Sequence, residues 1–186
     1  MRIAIAALLG AVVMFVWQFI AHMLLPIGMM GFHMPQNEDA VLSAVSTGLT
    51  ERPGIYMLPS VDPAKMGDEA TMNAWAEKAS KNPNVFAVVN APAPDPKSMT
   101  PQLVKQFVTD FLGAALIAFV LAATAWTFGL RIVGSIVFGL FGWLLNIVPL
   151  WNWYRFPSDF MVGNLLEQGI GWGLAGVAIS WWLGRR

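Results

Sequence analysis

Cysteine is missing from this chain altogether. That excludes disulfides, thiolate zinc and iron–sulfur centres, c-type haem attachment and thiol nucleophiles. Charge is scarce as well. Only 12% of the residues are Asp, Glu, Lys or Arg, about half the share of a soluble domain. The eleven basic and eleven acidic side chains cancel, which leaves no basic surplus for nucleic acid. Histidine occurs only twice, at His22 and His33. There is no HExxH helix, no glycine-rich phosphate loop and no nucleophile motif. Ser158, Asp159, His22 and Glu167 are the nearest candidates for catalysis, and they do not make up a nucleophile, base and oxyanion site. The chain is therefore not expected to be an enzyme.

Apolar residues, by contrast, make up 56% of the 186 positions. The longest apolar run, Ile3–Leu25, is broken only by Gln18 and His22. At about 1.5 Å per helical residue it exceeds the roughly 30 Å hydrocarbon core of a bilayer. No small-x-small cleavage site follows it, so it reads as an uncleaved anchor. Three further spans are expected at Phe107–Leu130, Ile132–Leu150 and Phe160–Leu183, with a tight turn at "FGLR" and an outer turn at "WNWYRFPSD". The fold class is thus an α-helical integral membrane protein. Four transmembrane helices carry a small α+β extracytoplasmic domain between the first and second. By segment, residues 1–25 form the first helix, 26–99 the domain and its tether, and 100–130 and 131–150 the next two helices. Residues 151–159 form an outer loop, and 160–186 the last helix with its cytoplasmic end.

Arg2, Arg131, Arg185 and Arg186 flank the spans on one side, against Arg155 alone in the short loop on the other. The rule that short cytoplasmic loops collect Lys and Arg places both termini in the cytoplasm and residues 26–105 outside. A bacterial inner membrane with a periplasmic domain fits this pattern. Trp151, Trp153 and Tyr154 suit the outer aromatic belt, and Trp181 and Trp182 the inner one.

The outer segment reads helix–strand–helix–strand. "PQNEDAVLSAVSTG" has Asn37 as N-cap, acids in its first turn and Gly48 as its stop. "GIYML" and "VFAVV" read as strands, and "GDEATMNAWAEKASKNP" as the second helix. Two strands alone are marginal in water, so this domain is expected to rest on the membrane helices, a second copy or another protein. "NAPAPDPKSMTP" reads as an extended tether, with Thr100 capping the helix that follows and Pro101 in its first turn.

Polar residues inside the spans are a functional hypothesis by default. Gln18 and His22 lie one turn apart on the first span, and Gln106 and Asp110 on the second. Asn146 lies on the third span, and Asn164, Glu167 and Gln168 on the fourth. All eight fall within about 10 Å of the outer boundary, so one polar layer is expected. Rows of small residues, with Gly139, Gly142, Gly169 and Gly173 among them, mark the faces where helices approach closely. The expected result is a four-helix bundle with a polar plug near its outer mouth, and His22 is the strongest single candidate.

Three readings follow. An accessory, assembly or scaffold subunit would use the under-covered domain and the helix faces. Its partners would be membrane lipid and another membrane protein or a second copy. A proton, ion or small-solute transporter would use His22, Asp110 and Glu167. An extracytoplasmic copper protein would use His22, Met23, Met29, Met30, His33 and Met34, because imidazole and thioether suit Cu(I). The spacing of that last set matches no ligand motif, so no cofactor is predicted.

Overall fold

The computed structural model of the protein describes residues 1–49, 53–89 and 98–185. The tether expected from "NAPAPDPKSMTP" lies outside the described residues over 90–97. Contacts divide the chain into two units, Met1–Phe32 with Pro96–Arg186, and His33–Asp95.

The first unit holds four long helices: α1 (Arg2–Phe19), α4 (Thr100–Ala122), α5 (Phe128–Tyr154) and α6 (Ser158–Gly184). α1 continues into one π-helical turn, Ile20–Leu24, before Pro26 stops it. α1 packs on α4 and α6, and α6 packs in turn on α5. Where α1, α4 and α6 meet, the core is built from Ala6, Ala7, Ala11, Ala114 and Ala118, closed by Ile117, Leu121 and Ile179. Small side chains let the backbones approach, which is the main source of helix association in lipid. Gly139 shows how close: a Cβ there would sit 2.7 Å from the Gln168 carbonyl oxygen. At Gly176 it would sit 2.5 Å from Ser135. Gly173 faces Ile136 at 3.2 Å, while Gly142 and Gly169 meet nothing within 4 Å. Of the four packing glycines expected, Gly139 and Gly173 thus face a neighbouring helix directly. A small-residue row fixes a helix stripe, and not which neighbour covers it.

Three helices, Arg2–Leu24, Thr100–Ala122 and Phe128–Tyr154, are long and apolar enough to cross a membrane. α6 is as long as α5 at 27 residues, but it is not apolar enough by the same measure. Asn164, Glu167, Gln168 and its many glycines lower its hydropathy.

The helix ends differ from the sequence expectation. "FGLR" is the first turn of α5, not the connection. Ala123–Thr127 is the connection, because the Thr127 hydroxyl accepts from the Leu130 amide at 3.4 Å and caps the helix. α5 runs past Pro149 to Tyr154, so its connection to α6 is only Arg155–Pro157. Arg155 takes the left-handed conformation (φ 60°) there, and the Phe156 amide returns to the Leu150 carbonyl. Thr100 and Ser158 are the first helical residues and supply no cap hydrogen bond. The Ser158 hydroxyl instead accepts from the Trp151 indole at 3.1 Å.

In the second unit, α2 (Glu38–Gly48) starts at Asn37, whose side chain accepts from the Ala40 amide. α2 runs through Gly48 and is capped at Leu49. α3 (Glu69–Ser80) starts at Asp68, which accepts from the Thr71 amide and hydroxyl. Those two bonds, the hydroxyl first, hold the Asp68 carboxyl below its ordinary value. Strands β1 (Gly54–Leu58) and β2 (Val85–Val89) pair antiparallel, with Ile55 opposite Val88 and Met57 opposite Phe86. The period-2 alternation puts these four on one face. No described residue of this unit is buried.

Candidate functional site

The polar site grows from the C-terminal end of α1. Gln18 projects from the last α-helical turn, and His22 from the π turn that follows. Single π turns are rare and concentrate at functional sites. Beyond Pro26 the chain folds back over α6. A side chain at Gly163 would meet the Ile27 carbonyl at 2.8 Å, and the Phe32 ring stands edge-on to Phe160 at 5.9 Å. Gly28 lies against the His22 ring with no room for a Cβ. Residues 26–32 thus brace the imidazole and belong to the helical unit, although the sequence assigns them to the outer domain.

Asp110 is the centre of the site. It is only 4% exposed. Its Oδ1 accepts from the Gln106 amide at 3.0 Å and the Gln18 amide at 3.2 Å. Its Oδ2 is buried without a partner, and so is the Gln18 carbonyl oxygen. Beside this group His22 Nε2 lies 3.3 Å from Glu167 Oε1, an Nε2–H tautomer donating to the carboxylate. The Trp17 indole donates to the Glu167 main-chain carbonyl at 3.0 Å and ties α1 to α6 at this level. Glu167 is within electrostatic reach of Asp110. Five of the eight expected residues therefore gather where α1, α4 and α6 meet. Two buried acceptors face no donor, and in an apolar surround each such group costs about 1–3 kcal/mol. A proton, a cation or a water would satisfy them.

The other three expected residues stay within their own helices. Asn146 donates to the Gly142 carbonyl at 2.9 Å and is exposed. Asn164 donates to Phe160 at 2.9 Å, and Gln168 accepts from the Trp172 indole at 3.0 Å. Equal depth along a span does not fix the direction in which a side chain points. The sequence signal for Gln18–His22 and Gln106–Asp110 was the one-turn spacing. Trp17 and the π turn gave none.

Of the copper set, His22, Met23, Met29 and Met30 lie in the helical unit. Met23 and Met29 are exposed, Met30 rests against Gly163, and His22 is engaged by Glu167. His33 and Met34 belong to the second unit. Among the described residues no three or more His, Asp or Glu side chains are placed to hold a metal ion.

No family model, curated protein or solved structure matches this chain.

Proposed function

We propose that the protein is an accessory, assembly or scaffold subunit of a bacterial inner-membrane complex. In this reading α6 is a fourth span and both termini are cytoplasmic. The unit His33–Asp95 is extracytoplasmic and holds the partner. One observation carries it: the sheet face of Ile55, Met57 and Val88 stands open among the described residues, at 66%, 43% and 64% exposure. Among the described residues of that unit none is buried, so little of its apolar surface is covered from within. Covering those side chains is worth roughly 1.5–3 kcal/mol each at full burial, which is the scale on which a partner would complete the fold.

The test is capture from native membranes in mild detergent, followed by mass spectrometry. Wild type is expected to bring down another chain at fixed stoichiometry. Ile55→Glu with Val88→Glu is expected to lose it while remaining membrane-integrated. A wild type that comes out alone, or a double variant that keeps its partner, overturns the proposal.

A second reading has its own observation. Asp110 Oδ2, buried between helices without a partner, supports a site that takes up a proton or small cation, with His22 and Glu167 as its outer neighbours.

A further inference from the structure

The opposite end of the helical unit carries arginines and, among the described residues, no carboxylate side chain. Arg2 donates to the Leu183 carbonyl and, at 2.8 Å, to the Arg185 carbonyl, so the start of α1 and the end of α6 share one level. Ser135 of α5 faces Gly176 of α6. One turn further toward that level along each helix come Arg131 and Ser180. Arg131 Nε is buried there without a partner, as is the Ser180 hydroxyl. The Arg185 guanidinium lies over the Trp181 ring, 4.0 Å from its centre, with Trp182 at 5.8 Å.

No ion pair among the described residues involves Arg131 or Arg185. The carboxylate side chains among the described residues of this unit are Asp110, Asp159 and Glu167. From Asp110 to the end of α4 is about 18 Å of helix, and from Glu167 to Arg185 about 27 Å. A guanidinium whose Nε is buried without a partner carries an uncompensated desolvation cost.

An apolar groove of about 520 Å³ runs between α1 and α6, from Trp17 and Ile20 beside the polar site to Trp181 and Phe128 at this end. Val12 and Val16 of α1, Leu174, Val177 and Trp181 of α6, and Phe128 from the first turn of α5 line it. Trp181 joins the two features, since one ring forms groove wall and carries the Arg185 guanidinium.

The geometry points to a bound anionic glycerophospholipid, with one acyl chain in the groove and its phosphate between Arg131 and Arg185. A free phosphate would leave the groove empty, and a zwitterionic lipid would leave the cations uncompensated. Arginine suits this role because its planar fork matches phosphate oxygens, and stacking on Trp181 holds the fork in place. The inference rests on α6 being a fourth span, which reporter fusions on either side of α6 test by themselves. It is independent of the partner taken by the other unit.

The experiment is native mass spectrometry of the full-length protein titrated with phosphatidylglycerol, with phosphatidylcholine and with inorganic phosphate. Wild type is expected to retain phosphatidylglycerol at least about tenfold better than phosphatidylcholine, and phosphate not at all. The preference is expected to fall roughly fivefold in Arg131→Gln and in Arg185→Gln. Val177→Trp, at a half-exposed site, is expected to expel both lipids. Equal retention of the two lipids by wild type overturns the inference without any variant. So does a preference unchanged in both arginine variants, or lipid retained in full by Val177→Trp.

Discussion

Asp110 is where two accounts of the bundle separate. Asn at this position keeps the acceptor that Gln18 and Gln106 use and replaces the unpartnered Oδ2 with a donor. As a structural latch, Asp110→Asn is expected to be at least as stable as wild type in detergent. As a proton or cation site, it is expected to lose flux in proteoliposomes while keeping that stability. Wild-type flux, or no flux in either protein, assigns the cluster to structure. Asp110→Leu strands both glutamine amides and is expected to cost about 1–3 kcal/mol by thermal unfolding whichever account holds. The one-turn pairs in this cluster were legible because i and i+4 share a helix face. Asn146, Asn164 and Gln168 looked equivalent in sequence, yet each finds a partner within its own helix.

At the level of elements, chain-local signals read true where both partners lie within one turn. Asn37 and Asp68 cap their helices as the residue order implies, and both strands match the runs that predict them. The Asp68 carboxyl, lowered by its bonds to Thr71, has a defined pH signature. A depressed folded value adds stability that is complete above the ordinary value of 3.8 and is lost as the pH falls through the lowered one. Protection of the α3 amides from hydrogen exchange is therefore expected to weaken between about pH 5 and pH 2. Asp68→Asn keeps a cap and is expected to remove that dependence, whereas Asp68→Ala is expected to weaken protection at every pH. The ends of α4, α5 and α6 read less well. Thr127 is an ordinary cap residue in a run that hydropathy alone carries through. The π turn at His22 depends on how residues 26–32 fold back on α6, and no local pattern encodes that.

For the whole molecule, hydropathy and the arginine distribution make one compact prediction. A reporter fused after Arg186 is expected to be cytoplasmic, and one inserted near Pro94 is expected to face the other side of the membrane. Two reporters on the same side would remove the extracytoplasmic assignment of the second unit. The sequence by itself determined that this is a helical, membrane-class chain with a separate two-helix, two-strand segment after its first helix. Those properties follow from composition, periodicity and caps, each of which acts within a few residues. Only the tertiary structure decided that α1, α4 and α6 share the polar corner while α5 packs on the far side of α6. It also decided that the strands run antiparallel, that one sheet face stands open among the described residues, and that the Arg185 guanidinium lies over Trp181 at one end of an apolar groove. These are relations of direction around helix axes and across strands, set by which backbones approach closely, and residue order does not encode them one turn at a time.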